Sequence, residues 1–196
     1  MLQRMAFHVF PAWRSVAASA PYGAVVLAAI ATMLIVPGLR GVIGGGLAIL
    51  MLSIAIVDAR QFIIPDRLVF IAIVLGLVST GVESRLDAAE MLIAVVRGAL
   101  MALVFGALRG AYAKLRKREG MGLGDVKLAI VAGVWLDWMT IAAAIEIAAL
   151  AALVVTGVRI VRGRQITGGT PIPFGLFFAP AIWVAWLIEV NFMGLP

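Results

Sequence analysis

Chemistry in this chain has to come from carboxylates, hydroxyls and the cations of Lys and Arg. Its 196 residues include no cysteine and a single histidine, His8, near the N-terminus. That excludes disulfides, thiolate metal sites, a cysteine nucleophile and any histidine-based metal centre or triad. Ten residues are acidic; most lie in polar stretches, so those at the ends of apolar segments carry more information. Asp58 closes one apolar segment and Asp125 opens another. If those segments are neighbours, the carboxylates form a pair. Two carboxylates a few ångströms apart cannot both ionise cheaply, so one retains a proton and the two can hold a water between them, as aspartic proteases do. Read singly, each is a helix-end residue facing headgroups, and Asp125 suits a helix N-terminus.

The elements that carry these residues belong in a membrane. The composition is 64% hydrophobic and 13% charged, with mean hydropathy +1.13, more apolar surface than a soluble domain of this size can bury. Apolar runs bounded by charges predict seven spans, at 22–39, 41–57, 68–82, 91–108, 126–136, 140–158 and 174–190. The third and fifth are short, about 22 and 17 Å as helices against a hydrocarbon core of about 30 Å, so the fifth has to borrow flanking residues or sit in thinned membrane. The net charge of +6 reads as cytoplasmic loops rather than a nucleic-acid surface, and no nucleic-acid partner is expected. Alternate segments carry Arg4 and Arg14; Arg60 and Arg67; Arg109, Lys114, Arg116, Lys117 and Arg118; and Arg159, Arg162 and Arg164. Together they hold twelve of the sixteen basic residues, which places the N-terminus in the cytoplasm and the C-terminus outside. Asp58 and Asp125 then share one depth at the cytoplasmic surface. The fold class expected is all-α, a polytopic transmembrane helix bundle of about seven spans.

Residues 1–21 read as a cytoplasmic, interfacial segment anchored by Phe7, Phe10 and Trp13 rather than as a cleaved signal peptide, because His8, Pro11 and Arg14 interrupt the apolar stretch. With no fixed-period repeat and no low-complexity linker, 22–196 is one membrane-embedded domain.

Three blocks set Asp58 and Asp125 in context. Val57-Asp58-Ala59-Arg60-Gln61-Phe62-Ile63-Ile64-Pro65-Asp66-Arg67-Leu68 places an aspartate a short gap before Ile-Pro-Asp. Gly122-Leu123-Gly124-Asp125-Val126-Lys127-Leu128 follows, its two glycines permitting close backbone approach. Ile172-Pro173-Phe174-Gly175-Leu176-Phe177-Phe178-Ala179 is the third. In these blocks, and over about four-fifths of its length from Gly41 onward, the chain resembles the prepilin peptidase family of GxGD-type membrane aspartic proteases, which process type IV and related pilins. Leu176 stands where that family commonly has proline. The resemblance implies a six-span core over 41–196, with 22–39 as an additional first span. It implies Asp58 and Asp125 as the catalytic pair, a prepilin-like membrane protein as substrate, the lipid bilayer as environment and no cofactor or metal. It places the cut at the cytoplasmic face of a bacterial inner membrane. Larger members carry an N-terminal N-methyltransferase region with paired cysteines for zinc, and a chain without cysteine resembles a short, peptidase-only form such as those of Flp or tight-adherence pili.

Gly122, Gly124, Pro171 and Pro173 are candidate substrate-binding residues, since 168–173 forms an extended segment able to pair with an unwound substrate backbone; the two prolines serve equally well to start the last helix. Asp66 is expected as an N-cap and Lys127 as a phosphate-facing cation turned away from the pair. Gly41 with Gly45 and Gly106 with Gly110 have the spacing of close helix packing. Arg97 and Glu146 lie at equal depth in the fourth and sixth spans, which predicts an interhelical ion pair. Two rivals stand beside the peptidase reading: a small proton-coupled transporter or channel using paired carboxylates, and a presenilin-like protease cutting deep in the membrane.

Overall fold

Seven α-helices follow one another among the described residues of the computed structural model, which are 22–116, 122–162 and 173–193. They are α1 (Tyr22–Ile35), α2 (Leu39–Gln61), α3 (Asp66–Glu83), α4 (Ala88–Arg116), α5 (Leu123–Trp135), α6 (Trp138–Val161) and α7 (Gly175–Ile188), with a π-helical turn over Glu189–Met193. Each lies on one of the seven predicted apolar runs. Four segments are long and apolar enough to cross a membrane: Leu39–Gln61, Ala88–Leu115, Trp138–Val161 and Gly175–Phe192. This is a multi-pass helical membrane protein. Residues 1–21, with the expected interfacial anchors, and Pro171 lie outside the described residues.

The fifth helix is short, as its apolar run requires. Its 13 residues reach about 20 Å. No thinned membrane is needed, because eight of its residues, from Asp125 to Trp135, are buried, and α3, α4 and α7 pack around it. A helix walled by protein need not match the lipid thickness. α7 is the other central element; its Phe178 and Ile182 join Leu47, Met51 and Ile54 of α2 and Leu128 and Val131 of α5 in the core. The backbones of α4 and α5 nearly touch, since a Cβ on Gly133 would lie 2.7 Å from Gly98 Cα. Leu27, Leu34, Phe70, Leu103 and Leu153 face outward, the pattern of a bundle whose solvent is lipid.

Gly41 and Gly45 pack against α1 as their spacing predicts: a Cβ on either would collide with the backbone of Val36 or with Met33. Among the described residues a Cβ added at Gly106 or Gly110 would find no neighbour within 4 Å, so neither packs against another described helix. Spacing marks a smooth helix face, but only a neighbouring helix makes it a contact.

The two ends of the bundle differ in their polar groups. At one end Arg40 donates to both carboxylate oxygens of Glu83, at 2.9 and 2.5 Å. Glu189, at the tip of α7, accepts from the Asp137 N–H at 3.0 Å and from the Thr140 hydroxyl. Asp58 and Asp125 occupy the opposite end. Along α2, Arg40 and Asp58 are about 27 Å apart.

The expected pair of Arg97 with Glu146 does not form. Arg97 Nε donates to the carbonyl of Gly133 at 2.7 Å, and its NH1 meets Asp137 Oδ1 at 2.5 Å. Glu146 lies on the exposed face of α6. Equal depth does not make two helices neighbours: α4 packs on α5, whereas α6 packs on α7. Arg97 instead satisfies an end carbonyl of α5, which has no intrahelical partner. Losing charge-assisted bonds of this kind costs about 2 kcal/mol, so Arg97→Ala is expected to lower the unfolding temperature in detergent by about 5 °C. In double-variant cycles Arg97→Ala should be non-additive with Asp137→Ala and additive with Glu146→Ala. Additivity with Asp137→Ala would contradict the pairing.

Candidate active site

Both aspartates owe their positions to helix ends. Asp58 lies in the last turn of α2, whose C-cap Phe62 adopts a left-handed conformation (φ 56°) and donates its N–H to the Asp58 carbonyl at 2.8 Å. Pro65 then starts α3, because a proline disfavours helical backbone in the residue before it. Asp125 is the third residue of α5. Its Oδ2 accepts the Gly122 N–H at 3.2 Å, a carboxylate closing a first helical turn.

The two carboxylates lie near one another. They are 5% and 7% exposed and close enough for their charges to interact, although 67 positions separate them. α7 supplies the third side of the site. Leu176 donates its N–H to Asp58 Oδ2 at 2.9 Å, and the Gly175 N–H is also directed at that carboxylate. Asp58 therefore sits on the free N–H groups that open α7. A side chain at Gly175 would obstruct this, since its Cβ would lie 2.9 Å from Asp58 Oδ2.

The other site candidates take distinct places. Gly122 holds Asp125 through its N–H and has room around it, whereas a Cβ on Gly124 would lie 2.8 to 3.0 Å from three atoms of Ile64. Pro173 is buried just before Phe174, the N-cap of α7, and so stands at the helix start. Asp66 is not an N-cap. Pro65 holds that position with an extended backbone and accepts the N–H groups of Leu68 and Val69, and the Asp66 carboxylate pairs with Lys127 Nζ. Lys127 accordingly turns toward α3 rather than toward lipid phosphates. This pair ties α3 to the first turn of α5 next to the aspartates.

Two contributors escaped the sequence reading: the N–H groups of Gly175 and Leu176, and the side chain of Ile64. Both lie inside the motif blocks, and the available signal was a glycine two residues after Pro173, where a helix begins. Among the described residues no group of three or more His, Cys, Asp or Glu side chains converges as a metal site.

A bundle of this kind, with two buried aspartates from distant helices sharing one end, defines a polytopic membrane protein with a carboxylate dyad. The chain matches the type IV leader peptidase family over residues 46–157 and belongs to that family. It is 33% identical over 144 residues to a prepilin leader peptidase/N-methyltransferase of Pseudomonas aeruginosa, covering 70% of this chain and 46% of the relative. The enzyme of the same name from Burkholderia pseudomallei is 33% identical over 156 residues, 78% of this chain and 48% of the relative. The corresponding protein of Aeromonas salmonicida is 27% identical over 161 residues, 82% and 54%. The chain thus spans about half the length of these curated relatives. No solved structure matches it.

Proposed function

We propose that this chain is an aspartic endopeptidase that removes the leader from prepilin-like substrates at the cytoplasmic face of a bacterial inner membrane. The observation that carries this reading is the meeting of Asp58 and Asp125, two buried carboxylates held by backbone N–H groups at one end of the bundle. In this mechanism the dyad holds one proton and one water. The ionised carboxylate takes a proton from the water as its oxygen attacks the scissile carbonyl carbon, and the protonated carboxylate donates to the carbonyl oxygen. Collapse of the tetrahedral centre breaks the C–N bond, and a proton passes to the leaving amine. The two aspartates act as one unit, so neither role belongs to one residue alone. Gly122, Gly124 and Pro173 lie at this end of the bundle and would meet substrate backbone there.

Orientation follows from charge. Arg60, Arg67, Arg109, Lys114 and Arg116 lie toward the helix ends on the dyad side, whereas Arg40 and Arg85 lie toward the other. The basic end is the cytoplasmic one. A proton-coupled transporter would need ionisable groups distributed along its spans. Here α2 carries no ionisable residue between Arg40 and Asp58, which favours hydrolysis at one face. The same position near a helix end argues against cleavage deep in the bilayer.

Mapping the products of purified protein and a synthetic prepilin peptide by mass spectrometry tests the proposal. The expected result is a single cut before the apolar segment of the peptide; no cut overturns the reading. With no cysteine in the 196 residues to hold zinc as thiolate, the product should keep a free N-terminal amine when a methyl donor is present. A methylated product would contradict that part.

A further inference from the structure

We infer that Ile64 is a positioning residue for the dyad, the spacer between the α5 backbone that bears Asp125 and the start of α7 that holds Asp58. This rests on the peptidase reading and adds to it a residue whose only means of acting is its width. Ile64 belongs to the link between α2 and α3, and it is 8% exposed while its neighbour Ile63 is 56% exposed. The left-handed turn at Phe62 lets the chain fold back so that one isoleucine faces inward and the other outward.

What Ile64 touches gives it its role. A Cβ on Gly124 would lie 2.8 Å from Ile64 Cδ1, and a Cβ on Gly175 would lie 2.8 Å from the same atom. One methyl group therefore fills the space of two missing side chains, on α5 and at the start of α7. Gly124 immediately precedes Asp125, and Gly175 belongs to the pair of N–H groups that hold Asp58. The separation between these two glycine backbones is set by the thickness of the isoleucine between them; Asp125 is carried by the first of those backbones, and Asp58 is hydrogen-bonded to the second. Two residues further on, Asp66 pairs with Lys127 of α5, so the same segment touches α5 at a second point.

Ile64 has no polar atom, so replacing it removes no hydrogen bond and no charge from the site. Its effect has to come through geometry. Hydrolysis by a shared water depends steeply on geometry, and a displacement of about 1 Å can cost about a hundredfold in rate. A residue that merely filled the core would lower stability when truncated and leave the turnover of the folded enzyme unchanged.

The test is steady-state cleavage of a synthetic prepilin peptide by the full chain in detergent, with thermal unfolding measured on the same preparations. Ile64→Ala is expected to lower kcat by about ten- to a hundredfold while KM changes less than about twofold, because the contacts that bind substrate are untouched. Gly124→Ala, which drives a methyl group into Ile64, should lower kcat by a similar factor. Combining them should raise kcat severalfold above Gly124→Ala alone, since truncation removes two of the three Ile64 atoms in the way and leaves its Cβ. A kcat for Ile64→Ala within twofold of the parent, or a double variant as slow as the product of the two single losses, overturns the role of Ile64. Should Ile64→Ala not fold, Ile64→Val removes the one methyl group that touches both glycines and is expected to lower kcat severalfold at constant KM; an unchanged kcat there overturns the role equally. A parent protein that cleaves no prepilin peptide overturns the peptidase reading and the role with it, a result distinct from an active parent and an equally active Ile64→Ala.

Discussion

Asp58→Asn and Asp125→Asn are each expected to lower kcat for prepilin cleavage by at least about a thousandfold while the helical bundle stays folded. Asparagine keeps a side-chain oxygen that can accept the N–H of Leu176 or of Gly122, so the contacts that seat each residue survive. What is lost is the proton. An amide neither accepts it from water nor returns it to the leaving amine, and acid–base help of this kind supplies about 10² to 10⁴ in rate. Because the two groups work as one unit, the double variant should be scarcely slower than either single one. Cleavage rate per folded protein, with circular dichroism to verify the helices, decides the matter; more than a tenth of parental activity in either single variant would sink the assignment. Asp66→Asn should fall within a few-fold of the parent, because its pairing with Lys127 is exposed, Asp66 being 75% so, and such pairs contribute little.

Gly175→Ala is the second large effect, and it replaces no ionisable group. Its new Cβ would stand 2.9 Å from Asp58 Oδ2, 3.1 Å from Asp58 Cγ and 2.8 Å from Ile64 Cδ1. The carboxylate has to swing away, and the bond from Leu176 at 2.9 Å lengthens or breaks. A loss of about a hundredfold in kcat is expected, the scale of an ångström-sized misplacement, with most of the helical signal retained at room temperature. Gly157→Ala provides the comparison. Gly157 also lies in a helix, α6, but a Cβ there would meet no described residue within 4 Å, so alanine there should leave activity unchanged and raise helix stability slightly. Equal activity in the two alanine variants would remove α7 from the account of the site.

The helices were legible in the sequence because hydropathy along the chain reports immersion in lipid directly. The brevity of α5 was legible for the same reason. Its enclosure by α3, α4 and α7 was not, since a run of apolar residues reads alike against lipid and against protein. Asp58 and Asp125 could be placed at one level by counting inward from the charged loops, and they come together because α3 and α7 each pack on both α2 and α5. The same counting misled for Arg97 and Glu146, whose helices do not pack together. Depth is one coordinate, and lateral order in a bundle is set by side-chain shape, which no single segment records. Asp66 was misplaced by one position because the preceding proline already supplies the extended backbone that a cap requires. Ile64 and the start of α7 went unread for a different reason. Their roles are aperiodic, resting on one methyl group and two peptide N–H groups, and they become visible only when residues 64, 124 and 175 converge.

The backbone bonds to Asp58 and Asp125 also bear on stereochemistry. Each aspartate gives one oxygen, Oδ2, to a peptide N–H, so under the proposed mechanism Oδ1 of each is the oxygen left for the shared water. A reacting carbonyl carbon would then be approached by its nucleophile from one side, and the tetrahedral centre formed there would have a single handedness. A molecule imitating that centre through a secondary alcohol must present its hydroxyl to the same two oxygens. Its epimer at that carbon would turn the hydroxyl toward oxygens already engaged, so in the proposed mechanism the peptide groups of Gly122 and Leu176 would decide which epimer binds.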